Sequence, residues 1–311
     1  MKAKVFACPG ITLARAECNH NAGERSGFGR KIMRAYSICR NFSVIINSWA
    51  TKPKYNEHRL TGPKTMQISI TSAEEFESLL NALASEIVDA QIYFKLHTDL
   101  MAAVPDYAEV FNESNTFWWL TLHALLDTTL FRLCRIYDQH SKSLNLRNLL
   151  DTIQASLNIF DIQNFRERLK DNPFVESLSQ TARKPSTDTL KQDIRYASPT
   201  NPLVRKLVIW RNNIFAHRSA TNVVTQRNIA DYYPLSKNDV SELLNGATSI
   251  LNRYSSLFRA SSYSTQIVGC DDYLYVLKTI KTRIRQHKEE IASEIARLRQ
   301  ADSTQRSGEV S

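Results

Sequence analysis

One short segment, Trp210 to Ser219 (WRNNIFAHRS), holds the side chains best suited to chemistry in this chain. Arg211 and His217 are separated by five residues, and the polar Asn212 follows the arginine directly. Histidine titrates near neutral pH and can give or take a proton, whereas arginine stays charged and can hold two phosphate oxygens at once. These residue types could therefore cleave a phosphate ester by proton transfer and charge stabilisation, without a metal ion.

The arginine of this segment occupies a position where a helical pattern expects an apolar side chain. Asn201 can cap a helix and Pro202 can begin it, so the sequence predicts that Arg211 lies on a helix. At about 100° per residue, four apolar residues lie one turn before or after it: Leu207, Val208, Ile214 and Phe215. Burying an unpaired guanidinium on such a face reduces the stability of the fold by several kcal/mol. The pattern indicates that Arg211 either pairs with a buried acid or serves a function.

Helical geometry limits how the segment could work. On an unbroken helix, Arg211 and His217 point about 120° apart, with Asn213 on the side of His217 and Arg218 close to the side of Arg211. The pair can face one phosphate only if the helix ends near residue 216, or if a second chain completes the site. The structural alternative is that Arg211 pairs with a buried acid such as Asp127, while His217 and Arg218 interact with the helix dipole.

Other residues that could do chemistry give weak signals. The sequence has no H-E-x-x-H pair, Gly-rich phosphate loop, G-x-S-x-G elbow or Cys/His metal spacing, so we expect no metal and no cofactor. His97 and His123 lie inside predicted helices and are expected at the core edge or the surface. The aromatic residues Phe117, Trp118 and Trp119 are expected in the core. The odd count of five cysteines indicates free thiols in a reducing, cytoplasmic environment.

The remaining sequence predicts helices joined by short connections. Capping boxes occur at Ser72–Glu75 and Ser236–Asp239, and the second predicts a helix over residues 237–259. The segment 117–137 is apolar on nearly all sides, as in a central bundle helix. No strand alternation persists, and no stretch of about 18 apolar residues suggests a membrane span. The predicted fold class is an all-α, up-and-down bundle over residues 66–300, with additional C-terminal helices.

The last predicted helix, about residues 272–299, carries an apolar residue at every seventh position: Leu277, Ile284, Ile291 and Leu298. This repeat could form a coiled-coil seam. His287 and Glu294 occupy the other half of the seam, so the sequence favours packing of this helix against the bundle. The polar residues 301–311 are predicted to be a disordered tail.

The net charge of +9 is confined to the N-terminal segment. Residues 1–65 contain 12 Lys and Arg against three Asp and Glu, whereas residues 66–311 contain 28 of each kind. This segment shows no sustained helical period, so we predict a disordered extension, with Met66 as an alternative start of translation. A basic arm that binds nucleic acid and an organelle transit peptide are the functional alternatives.

The arrangement of Arg211, Asn212 and His217 resembles the R-x(4–6)-H motif of the HEPN superfamily. The ordered segments FRLCRIYDQ, LNLRNLLDTI and WRNNIFAHRS are also similar to the AbiU-type abortive-infection branch of that superfamily. The resemblance covers roughly residues 72–260, and the ordered set of segments on an all-helical chain is far more specific than the short motif.

The resemblance implies a metal-independent endoribonuclease of prokaryotic phage defence or toxin–antitoxin systems. Arg211 and His217 would be the catalytic pair and Asn212 an accessory residue, with Arg218 and Asn213 as candidate RNA contacts. It also implies a homodimer, and an antitoxin or other defence partner. Toxins silenced by nucleotidylation have a Tyr where this chain has Ser219, so that control is not implied. The alternatives are a non-catalytic module that binds RNA or a partner protein, and a purely structural bundle.

Overall fold

The computed structural model describes residues 68–216, 220–225, 228–264, 269 and 271–308. The basic segment 1–65 and Met66 lie outside these residues. The described residues form helices and no strand, which confirms the predicted all-α class. No helix in these ranges is long and apolar enough to cross a membrane.

Twelve α-helical segments are described. The first six are α1 (Ala73–Ala103), α2 (Ala108–Glu113), α3 (Asn115–Ile136), α4 (Leu146–Ala155), α5 (Ile162–Arg168) and α6 (Val175–Leu178), with a 3₁₀ turn at Leu157–Phe160. The next six are α7 (Thr187–Tyr196), α8 (Pro202–Trp210), α9 (Ala220–Val224), α10 (Ile229–Tyr232), α11 (Lys237–Arg259) and α12 (Asp272–Gly308). A π-helical turn, Arg211–Phe215, follows α8 directly.

The long helices α1 and α3 form an antiparallel pair at the centre of the fold. The Ser72 side chain caps α1 by accepting a hydrogen bond from the Glu75 backbone N–H at 3.2 Å. Near one end of the pair, Arg132 forms an ion pair with Glu86 at 3.0 Å. Near the other end, the His97 ring lies 3.1 Å from the Leu122 carbonyl oxygen. The pair thereby provides the rigid surface on which the other helices pack.

Two hydrophobic clusters lie along this pair. The main core joins the first part of α1 and the second part of α3 to α4, α7, α8 and α11, and its aromatic centre is Phe76, Phe160 and Phe258. The smaller cluster joins the opposite ends of α1 and α3 to α2 and the start of α12. The main core holds the end of α3 beside α8, and this contact positions the residues described below.

The surface of α3 differs from the predicted central helix. Trp118 is buried, but Phe117 and Trp119 are exposed, so the expectation of a fully buried aromatic group is wrong for two of its three members. One face of α3 carries an exposed apolar set, called here the α3 stripe: Phe117, Leu120, Ala124 and Phe131. Asp127 is exposed on the same helix and is not a buried acid.

The C-terminal half of the fold follows the sequence pattern more closely. The predicted capping box at Ser236 and Asp239 is present, and α11 occupies the predicted range. The start of α12 packs against the smaller cluster, as the sequence favoured. The helix continues to Gly308 and includes most of the polar segment for which the sequence predicts disorder.

Candidate functional site

Arg211 lies where α8 changes into the π turn. The Asn201 side chain accepts a hydrogen bond from the Leu203 backbone N–H at 3.0 Å, so α8 begins as predicted. At the other end, the Ala216 backbone N–H donates to the Arg211 carbonyl at 2.7 Å, which is an i to i+5 bond. Single π turns within helices are rare and occur frequently at functional sites.

The π turn changes which side chains are buried around Arg211. Leu207 is buried and Phe215 packs partly against the core, but the Ile214 side chain remains 39% exposed. The Arg211 side chain is 36% exposed. The expectation of a buried apolar face is therefore wrong for Ile214 and for the guanidinium, whereas Leu207, Val208 and Phe215 pack in or against the main core.

The guanidinium is paired with an acid that the sequence analysis did not identify. Arg211 Nη1 lies 3.3 Å from an Asp138 carboxylate oxygen, whereas the expected partner, Asp127, is exposed elsewhere on α3. Asp138 directly follows the C-cap of α3 and is buried. Its carboxylate also accepts hydrogen bonds from the backbone N–H groups of Gln139 and His140 and from the Ser143 hydroxyl, at 2.7, 3.1 and 2.9 Å. These donors fix the carboxylate that holds Arg211.

A hydrogen-bonded loop between α3 and α4 carries Asp138. Asn145 caps α4 by accepting from the Asn148 backbone N–H at 2.8 Å. The Asn148 side-chain amide donates to the carbonyls of His140, Ser141 and Ser143 at 3.0, 3.2 and 2.7 Å. Two separate sequence segments therefore build one structural unit, since FRLCRIYDQ supplies the carboxylate and LNLRNLLDTI supplies the amides that hold its loop.

The two asparagines after Arg211 have different surroundings. Asn212 is exposed, and its side-chain oxygen accepts a bond of 3.4 Å from Arg211 Nη1. The Asn213 side chain donates to the Ile209 carbonyl at 2.8 Å and accepts from Asn222 at 3.1 Å. Asn213 thus braces the π turn, and Asn212 faces solvent beside the guanidinium. His217 and Arg218 lie outside the described residues.

A buried thiol lies against the same ion pair. Cys134 Sγ is 3.7 Å from the Leu207 carbonyl, which joins α3 to α8. Burial raises the pKa of Cys134 to about 12; the positive charge of Arg211 acts in the opposite direction and Asp138 adds to the rise. The thiol therefore stays protonated at neutral pH and is no nucleophile there.

The described part of the site can hold an anion. An arginine has five N–H donors in a planar fork, and both Arg211 contacts within the described residues use Nη1. Asp138 therefore orients the guanidinium, and part of the Arg211 side chain stays exposed. Among the described residues, no group of three or more His, Cys, Asp or Glu side chains could hold a metal ion.

Sequence reasoning missed Asp138 although a signal was present. The acid directly follows the last apolar residues of α3, inside a segment already recognised as similar to a known family. An acid at the end of an apolar helix that leads into a loop rich in Ser and Asn is a better candidate for an arginine partner than an acid in mid-helix. Asp127 could have paired with a buried Arg211 only if the middle of α3 were itself buried on that side, but Asp127 lies on the exposed side of the helix.

The segments that build this site lie within a region that matches a known protein family. A family model described as HEPN AbiU2 matches residues 73–278, from the first residue of α1 into the first turns of α12. No curated protein and no solved structure gives a significant match. The family match includes the loop of Asp138, the π turn of Arg211 and the segment up to His217. Because the match spans well over half of the sequence and every element that builds this site, the chain belongs to the HEPN AbiU2 family.

Proposed function

We propose that this protein is a metal-independent endoribonuclease of HEPN type that acts in prokaryotic phage defence or a toxin–antitoxin response. The observation that carries the proposal is the oriented, partly exposed guanidinium of Arg211, which a buried carboxylate holds on a π turn within the family motif. Because Asp138 already restricts the Arg211 side chain, binding a phosphate there costs less side-chain entropy than it would for a freely rotating arginine.

The proposed reaction is attack of a ribose 2′-hydroxyl on the adjacent phosphate. The 2′ oxygen forms a bond to phosphorus, and the bond between phosphorus and the 5′ oxygen breaks. We assign both proton transfers to His217. Its neutral imidazole accepts the 2′ proton, and the resulting imidazolium donates a proton to the leaving 5′ oxygen. Arg211 stabilises the extra negative charge on the phosphate oxygens in the transition state. The products are a 2′,3′-cyclic phosphate and a free 5′-hydroxyl.

The first experiment is incubation of purified protein with total RNA and an excess of chelator. We expect cleavage to persist in the chelator, and the new ends to carry a 2′,3′-cyclic phosphate. Cleavage that is lost in EDTA and restored by magnesium would contradict the mechanism.

The second experiment assigns the two catalytic roles. His217→Ala should lower the cleavage rate by about 10² to 10⁴, the usual contribution of a positioned acid or base. Arg211→Ala should lower it by a comparable factor. The matched controls are His287→Ala and Arg205→Ala, because both side chains are exposed outside the site. Wild-type cleavage by His217→Ala would show that the assignment is wrong.

A non-catalytic module that binds RNA or a partner protein is the second candidate. Two observations favour it: Arg211 is already paired with Asp138, and the α3 stripe is an exposed apolar face whose last residue, Phe131, lies beside the π turn. Phe131 of this stripe has its ring centroid 6.5 Å from that of Phe215. The RNA incubation described above distinguishes the two functions. A non-catalytic module would retain RNA or a partner protein but would produce no new RNA ends.

The proposal includes a homodimer around the π turn. Ile214 is exposed next to Arg211, and Phe131 is exposed close by, so a two-fold contact here would bury both and bring two arginines towards one cleft. Ile214→Asp should then break the contact around the π turn and abolish cleavage together, because the new charge would be buried against its symmetry mate. Phe174→Asp is the control, because it places the same charge on an exposed apolar position elsewhere. Full cleavage by a chain that sediments as a monomer would rule out a shared site.

A further inference from the structure

The helix α12 has two halves with different surroundings. In the first half Leu277 is fully buried, and Ile280 and Ile284 pack against the smaller cluster. Lys281 also donates to the Asp106 carbonyl at 2.9 Å, and Lys288 pairs with Glu109 at 3.3 Å. From residue 285 to residue 301, every side chain is exposed. At about 1.5 Å per residue, the helix therefore projects roughly 30 Å past its last contact with the fold.

The projecting half keeps the apolar periodicity of the packed half. Three large apolar side chains, called here the α12 stripe, are exposed at intervals of four and three residues: Ile291 (47%), Ile295 (45%) and Leu298 (62%). Ile291 and Leu298 continue the seven-residue repeat of Leu277 and Ile284, so the face that packs on the fold extends past its last partner among the described residues. An isolated helix of this length is marginal in water and gains most of its stability from burying such a face.

From residue 289 to residue 299, the charges beside the α12 stripe form two blocks of opposite sign. Glu289, Glu290 and Glu294 form the acidic block, and Arg297 and Arg299 form the basic block. Within the helix, Glu294 pairs with Arg297 at 3.8 Å and Glu290 with Arg283 at 3.6 Å. All four of these side chains are more than half exposed, so the pairs contribute little and can rearrange.

We propose that the projecting half of α12 pairs in antiparallel orientation with the same segment of a second copy of this chain. If Ile291 lies opposite Leu298 of the second copy, Ile295 lies near the two-fold axis. A two-fold pair brings the same flank of each stripe together. The same alignment places Arg297 level with residue 292 of the second copy, on the flank that carries Glu290 and Glu294, so the acidic block lies beside a basic side chain. A parallel pair in register would place each block beside a block of its own sign, which is unfavourable. The segment lies beyond the family match, and the proposal does not depend on RNA cleavage.

Sedimentation of the full chain tests this association. Because the π turn is a separate candidate contact, the measurement uses Ile214→Asp as the background, at tens of micromolar protein. We expect this background variant to remain dimeric. Adding Ile291→Asp and Leu298→Asp together should convert it to a monomer, since two charges would be buried in the contact. Adding Ser293→Asp should leave the dimer intact, because that exposed residue lies on another face of the helix.

The helix content of each variant, measured by circular dichroism, shows that the chain still folds. The substituted side chains are exposed within one chain, so the substitutions should not unfold it. An Ile214→Asp chain that sediments as a monomer overturns the proposal. A dimer that survives Ile291→Asp with Leu298→Asp overturns it as well. Neither result bears on RNA cleavage by the Arg211 site, which is assayed separately.

A disulfide trap tests the orientation. In Ile291→Cys with Leu298→Cys, the two positions of one chain are about 10.5 Å apart along the helix and cannot be bridged within it. Under oxidation we expect a disulfide between position 291 of one copy and position 298 of the other, identified by mass spectrometry of the linked peptides. Disulfides that join 291 to 291 and 298 to 298 would overturn the antiparallel arrangement.

Discussion

Asp138 determines where the Arg211 side chain lies. The carboxylate is buried, receives two backbone N–H bonds and one hydroxyl bond, and keeps Arg211 Nη1 at 3.3 Å. These three donors, together with the guanidinium, fix the orientation of the carboxylate. The guanidinium is therefore held by an ion pair while 36% of the Arg211 side chain stays exposed, an arrangement that suits the phosphate contact proposed above.

Asp138→Asn should weaken both the fold and the proposed activity. The amide cannot provide the charge or all the acceptor positions of the carboxylate, so the free energy of unfolding should fall by about 1 to 3 kcal/mol. Urea unfolding measures this change, with Asp127→Asn as the control because Asp127 is exposed on the same helix. RNA cleavage should fall in the first variant only. Equal unfolding midpoints for the two variants would contradict the role assigned to Asp138.

Cys134 should be inert while the protein is folded. Its pKa of about 12 leaves very little thiolate even in mildly alkaline buffer, and the side chain is buried between α3 and α8. We expect iodoacetamide to leave Cys134 unmodified in native protein and to modify it fully in urea. Mass spectrometry of the Cys134 peptide separates it from the other four cysteines. Rapid modification in native protein would show that the α3–α8 contact opens readily.

For helices and loops, the sequence signals that depend on neighbouring residues gave the reliable predictions. The sequence located the start of α8 and the whole of α11 because caps and apolar periodicity depend on neighbouring residues. The partner of Arg211 could not be identified in this way, because the pairing joins residues that are distant in sequence. Periodicity also cannot tell an apolar face that the same chain covers from one that it leaves open. The α3 stripe and the exposed half of α12 are both of the second kind.

The loop between α3 and α4 should be sensitive to one amide. Asn148→Ala removes the donor to three loop carbonyls, so we expect a loss of about 1 to 3 kcal/mol in the free energy of unfolding. Gln154→Ala serves as the control, because Gln154 is exposed on the same helix and should change stability by about 0.5 kcal/mol or less. If Asn148→Ala unfolds at the wild-type urea concentration, the loop does not need this brace.

In the molecule as a whole, the free energy of unfolding should depend on pH through the smaller of the two clusters along α1 and α3. The smaller cluster contains the contact between the His97 ring and the Leu122 carbonyl. Burial lowers the pKa of His97, and the positive charges of His123 and Lys237 act in the same direction, while the bond to Leu122 opposes them. The folded protein therefore binds this proton less readily than the unfolded chain does.

The sign of the pH effect follows from this difference. As pH falls below about 6.5, the usual pKa of histidine, the unfolded chain takes up a proton that the folded chain resists, so stability decreases. His97→Gln keeps a side-chain donor for the Leu122 carbonyl but does not titrate, and should show a flatter dependence. Urea midpoints at neutral pH and at about pH 5 measure this for both proteins. An equally steep fall in the variant would assign the effect to other groups.

The π turn at Arg211–Phe215 also bears on how the motif tolerates insertions and deletions. A π turn is in effect an α-helical turn that has accepted one more residue without changing the direction of the helix axis. Removing a residue here would restore a regular turn and shorten the interval between Arg211 and His217 to four residues, still within the R-x(4–6)-H range. Spacing differences in this motif are then absorbed by the local backbone, and the helix before the turn keeps its packing.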